Sequence, residues 1–114
     1  VRIGATRAQD CGACVQIALD VAVGDGLAPS GVADALEGRE ELLPPELRAA
    51  FRFGQALAAG LDAEKERALI RSEWGDSALV EASVAAAYAV TFPIVKRGMG
   101  HTHACDVRQL RLER

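Results

Sequence analysis

Asp10-Cys11-Gly12-Ala13-Cys14-Val15-Gln16-Ile17-Ala18-Leu19-Asp20-Val21-Ala22-Val23, stopped by Gly24-Asp25-Gly26, is the stretch that decides the fold. Its apolar spacing predicts a helix from Cys11 to about Val23, with Asp10 as the N-cap and glycine free to take the left-handed conformation past its end. Val15, Ile17, Ala18, Leu19, Val21 and Ala22 put apolar side chains on most of the circumference. Gln16 and Asp20 lie one turn apart on the same polar strip. A helix that is apolar nearly all round belongs in a core or in an interface between copies.

Helical patterns continue on both sides. Val1–Gln9 reads as the end of an earlier helix. Ala28-Pro29-Ser30 opens a short one, with Ser30 as a candidate cap, Val32, Ala35 and Leu36 on its buried face, and Gly38 at its end. Leu43-Pro44-Pro45 restricts the chain before a third, with Pro45 suited to the first turn. There Leu47, Ala50, Phe51, Gly54, Leu57 and Ala58 recur at steps of three and four, an amphipathic signature. Asp62 is placed as the cap of a less regular helix carrying Leu69, Ile70 and Trp74. Gly75-Asp76-Ser77 breaks that pattern, and an alanine-rich helix follows from about Ala78 to Phe92, apolar around its girth and expected to be central. Pro93 should end or kink it, with Ile94–Met99 as a possible continuation. No repeat, low-complexity tract or convincing strand is visible, so the chain reads as all-α, a single domain over residues 1–100 and a tail over 101–114.

Composition agrees. The chain has 114 residues, half of them hydrophobic and a quarter charged. This is a globular composition, and a chain of this length buries roughly two-thirds of its unfolded surface without disulfide staples. There are 22 alanines against five aromatic residues, which implies closely packed helices. A net charge of −3 and a pI near 5.3 argue against non-specific nucleic-acid binding. No apolar run reaches the roughly 18 residues of a spanning helix, which rules out a membrane span, and no secretory leader is visible, so neither a membrane partner nor export is expected and a cytoplasmic location is.

Three cysteines, at 11, 14 and 105, are not a secreted disulfide framework. Cys11-Gly12-Ala13-Cys14 is a C-x-x-C pair. Sulfurs at i and i+3 of a helix start share a face and can close a short disulfide with little backbone change. The unpaired N–H groups of the first turn favour thiolate, the nucleophilic form, at Cys11. Small Gly12 and Ala13 leave room for an oxidant. The other readings of the pair are half of a metal site, or two buried small hydrophobes.

Arg7-Ala8-Gln9-Asp10-Cys11-Gly12-Ala13-Cys14, the helix after it and Gly24-Asp25-Gly26-Leu27 together resemble the alkylhydroperoxidase D / carboxymuconolactone decarboxylase-like family. The resemblance extends through Leu42-Leu43-Pro44, Arg48–Phe53, Trp74–Glu81 and Phe92-Pro93, about residues 2 to 100. It implies an all-helical domain assembled as homotrimers or homohexamers, with a redox-active dithiol at a helix N-terminus and no cofactor. It implies an antioxidant enzyme that reduces small hydroperoxides or the disulfides of a partner thiol protein, with Cys11 and Cys14 catalytic. Decarboxylase members share the fold without relying on the dithiol. The chain departs from the peroxidase pattern at the proton relay. The histidine four residues after the second cysteine is Ala18, the one just before it is Ala13, and the relay glutamate of the preceding helix falls before Val1. A missing base weakens peroxide chemistry more than dithiol–disulfide exchange, which needs only thiolate and access.

Asp10 is a possible accessory group, although a like charge beside a thiol opposes its ionisation. Gly100-His101-Thr102-His103-Ala104-Cys105 supplies the others: His101, His103 and Cys105, as a relocated relay or a third thiol. With Cys11 and Cys14 they would also make a zinc ligand set, the lesser alternative. The second alternative is a helical oligomerisation or binding module that kept the shape and lost turnover. Arg48 and Arg52 read as a solvated face, Trp74 and Tyr88 as core or interface anchors.

Overall fold

The computed structural model describes residues 1–9 and 12–100. These form α1 (Arg2–Ala8), α2 (Gly12–Gly24), α3 (Pro29–Leu36), a 3-10 turn (Glu40–Leu42), α4 (Pro45–Ala58) and α5 (Glu64–Gly98). The all-α reading holds for the described residues, as do the helix ends placed at Gly24–Gly26 and Gly38. Asp10, the predicted cap of α2, lies outside them. Pro45 occupies the first turn of α4 as expected. Two caps need correction. Ala28 is the N-cap of α3, with Pro29 in the first turn and no side-chain cap from Ser30. Ala63 is the N-cap of α5. Asp62 instead accepts a hydrogen bond from Arg67 at 3.0 Å, which with the Ala63 backbone N–H holds its carboxyl below the usual carboxylate range.

The centre of the fold is a contact between α1 and α4 so close that it excludes any Cβ. A Cβ on Gly54 would stand 2.1 Å from the Val1 carbonyl oxygen, and one on Gly4 would stand 2.1 Å from that of Phe51. The two glycines let the backbones touch, and the rest of the core forms around that crossing. Phe51 and Phe53, two positions apart on α4, project to different sides. Phe51 packs with Ile3, Val15, Leu19, Val32 and Leu43. Phe53 packs with Ala63 and Ile70 of the following segment. Phe51 was visible in the amphipathic pattern. Phe53 was not, because a helix buried on two sides violates the single-stripe template.

Arg48 is not simply solvated. Its Nε donates to the Glu40 carbonyl (3.0 Å) and its Nη2 to those of Glu41 (3.0 Å) and Leu43 (3.1 Å). It thereby supplies donors to the Glu41 and Leu43 carbonyls and adds a second one to the Glu40 carbonyl, which also accepts from the Leu43 backbone N–H at 3.1 Å. Arg52 pairs with Glu40 at 2.7 Å.

In α5 the expected break and the expected continuation are both present. Gly75 has φ 85° and ψ 177°, in a region of backbone space that is essentially glycine-only, so the helix is interrupted there. Pro93 is fully buried and the helix runs past it to Gly98. Replacing Gly75 by alanine should cost about 1–3 kcal/mol of stability. A Cβ there would meet nothing within 4 Å, so any loss is conformational rather than steric. Urea denaturation of the variant measures it, and an unchanged midpoint would mean that the chain relaxes into a continuous helix.

The half of α5 after Gly75 is not central, contrary to the sequence reading. Of residues 76–98 only Ala86 and Pro93 are buried. Val80, Val84, Tyr88 and Phe92, each one turn after the last, form an exposed apolar stripe prolonged by Val95 and Met99. The expectation about spanning helices also needs correction. An 18-residue window of α5 has mean hydropathy 1.7, so by length and composition alone this helix could cross a membrane. A charged residue such as Glu81 interrupts an apolar run without lowering the average much. The other face of α5 packs on α4 and α1.

Candidate functional site

Cys14 sits in the first turn of α2 and is buried, 9% exposed. It forms part of the wall of a cavity of about 300 Å³ between three helices. Arg2 and Thr6 enter from α1, Cys14, Ile17 and Ala18 from α2, and Tyr88, Ala89 and Phe92 from α5. The 3.6-residue period places each group on one side of its helix: 2 and 6, 14, 17 and 18, then 88, 89 and 92. The walls are mostly apolar. Thr6 Oγ1 is committed as a donor to the carbonyls of Arg2 (2.8 Å) and Ile3 (3.3 Å). Arg2 is exposed and is the only charged side chain among the described residues lining the cavity.

The backbone just before the C-x-x-C is tied down from two directions. Gln9, the C-cap of α1, donates from Nε2 to the Ala58 carbonyl at the end of α4 (2.9 Å). Arg97, near the end of α5, donates to Gln9 Oε1 (2.6 Å) and to the Gln9 carbonyl (3.4 Å). Three helices therefore fix the point from which the chain leads into the Cys11–Cys14 segment. Gln16 Nε2 donates to Asp20 at 2.9 Å, the one-turn pairing read from the sequence.

Of the predicted site residues, Cys14 alone falls within the described part. Asp10, Cys11, His101, His103 and Cys105 lie outside it, and so does the geometry of the proposed dithiol and of the zinc alternative. Among the described residues no group of three or more His, Cys, Asp or Glu could hold a metal ion. Ala18, where the resemblance would place a relay histidine, is buried in the cavity wall. Trp74 and Tyr88 are both largely exposed, so neither is a core anchor. Sequence reading missed Arg2, Thr6, Gln9 and Phe92. Nothing in the local pattern relates Arg2 to Phe92 or Gln9 to Arg97, and only helix packing brings them together.

These features define a class: an all-helical domain with a cysteine in the wall of an apolar cavity. The chain is matched by no family model, no curated protein and no solved structure.

Proposed function

We propose that this chain is a cytoplasmic, cofactor-free thiol oxidoreductase of the alkylhydroperoxidase D-like kind, in which Cys11 and Cys14 cycle between dithiol and disulfide. The observation that carries the reading is Cys14 in the first turn of a core helix, lining a cavity large enough for a small organic molecule. In the peroxide reaction one thiolate attacks the terminal oxygen of R–O–OH. The O–O bond breaks, the alcohol leaves with a proton, and a sulfenic acid remains. The second thiol condenses with it, an S–S bond forms, and water leaves. Two electrons pass from the sulfurs to the peroxide, and a dithiol or thiol-protein reductant returns them. Exchange with a partner disulfide uses the same pair without a peroxide. Two reactive thiols per chain should therefore disappear on treatment with one equivalent of an organic hydroperoxide and return with dithiothreitol, read by thiol titration. Retention of both thiols overturns the reading.

Self-association belongs to this proposal. The stripe from Val80 to Met99 runs about 28 Å along α5 at 1.5 Å per residue. Tyr88 and Phe92 within it are each 67% exposed. A patch of that size on one face, with the other face packed on the domain, fits a second copy of the chain better than lipid on all sides. The stripe also favours the second reading, a helical assembly module without turnover. Val84→Glu should convert the assembled trimer or hexamer into monomers by light scattering, with its helical content kept. A wild-type chain that is monomeric at all concentrations removes assembly from the proposal.

A further inference from the structure

We propose that the cavity beside Cys14 is a binding site for a ligand with an apolar chain and a carboxylate head, the head held by Arg2. Three observations converge. The cavity, about 300 Å³, is within the range of small-molecule sites, and its walls are Ile17, Ala18, Ala89 and Phe92 with little polar surface. Among the described residues the single charged side chain lining it is Arg2, whose planar guanidinium fork matches a carboxylate with two parallel hydrogen bonds. That guanidinium is uncommitted among the described residues. Arg39, Arg52, Arg67 and Arg71 each pair with an acidic side chain, whereas Arg2 takes part in none of these ion pairs.

An apolar wall with one cation defines what the ligand carries. An inorganic anion would leave the walls unfilled, and a neutral hydrocarbon would leave the guanidinium unused. A molecule with both parts uses both. For what happens to that molecule the inference rests on the redox reading above: the substrate is then an organic hydroperoxide bearing a carboxylate, the head at Arg2 and the reducible O–O bond within reach of the cysteine wall. Binding of an unreactive analogue does not depend on that reading.

Octanoate serves as that analogue, with octanol as its uncharged counterpart, each titrated calorimetrically into the full chain in its native assembly. Saturable octanoate binding is expected, at least tenfold tighter than octanol. Arg2→Met should weaken octanoate by tenfold or more and leave octanol unchanged, which isolates the charge. Because Arg2 also borders a second cavity of about 270 Å³ lined by Val32, Leu43 and Phe51, a separate variant locates the site. Ala89→Leu narrows only the cavity beside Cys14, and it should abolish octanoate binding while circular dichroism stays as in the wild type. The proposal is overturned if the wild type binds no octanoate, if Arg2→Met leaves the carboxylate preference intact, or if Ala89→Leu binds as before. Octanoate binding without thiol loss to peroxide would sink the redox reading and leave the site standing. Thiol loss to peroxide in a chain that binds no octanoate would do the reverse.

Discussion

Gly54→Ala should destabilise the domain by about 3 kcal/mol or more, a large share of the roughly 5–15 kcal/mol that holds a domain of this kind together. The added methyl would stand 2.1 Å from the carbonyl oxygen of Val1 and 3.1 Å from the amide nitrogen of Ala5. Both are backbone atoms of a neighbouring helix and cannot rotate aside, so α1 and α4 must separate. Separation would pull Ile3 from Phe51 in one core cluster and Val1 from Phe53 in the other. Gly4→Ala meets the Phe51 carbonyl oxygen at the same distance and should behave alike. Since either methyl forces the same helices apart, the double variant should cost clearly less than the sum of the two. Gly31→Ala in α3 is the control. Nothing lies within 4 Å of its Cβ position, so better helix propensity should leave stability equal or up to about 1 kcal/mol higher. Urea denaturation reads all four. Equal midpoints for Gly54→Ala and Gly31→Ala would mean that the helix crossing is looser than described.

Loss of either sulfur should remove turnover. Cys11→Ser and Cys14→Ser are each expected to lower steady-state reduction of an organic hydroperoxide by at least about a thousandfold, because a serine hydroxyl is neither a comparable nucleophile nor able to form the disulfide. The two variants should differ in the first turnover. The one that keeps the attacking cysteine reduces a single equivalent of peroxide and stops as a sulfenic acid, which a dimedone-type reagent traps. The other reduces none. Helix polarity favours thiolate at Cys11, while the buried wall position belongs to Cys14, so the trapping experiment decides the order of attack. Undiminished turnover in both variants would end the proposal of a dithiol cycle.

Much of the fold was legible because helix signals are local. Proline at position 45, glycine at 75 and the three- and four-residue recurrence from Leu47 to Ala58 act within one or two turns, and the structure places helix boundaries at those signals. Errors fell where tertiary packing overrides a local rule. Ser30 and Asp62 have capping chemistry, but the N-cap of α3 is Ala28, ahead of Ser30, and that of α5 is Ala63, just after Asp62. Residues 76–98 look central by hydrophobicity, yet nothing in the described chain covers the stripe from Val80 to Phe92. The sequence reports how apolar a helix is and not what it packs against.

The candidate site divides in the same way. The C-x-x-C is a short-range pattern, and its chemistry follows from sulfur, spacing and the polarity of a helix start. The cavity is a long-range object. Arg2, Cys14 and Phe92 become neighbours only because α1 crosses α4 through paired glycines and α5 folds back across both. The linear order of residues thus determined the helices and named a thiol pair. The packing of backbones without side chains between them decided which surface faces that thiol, because close approach depends on two glycines fifty residues apart meeting in space, a coincidence that no local periodicity encodes.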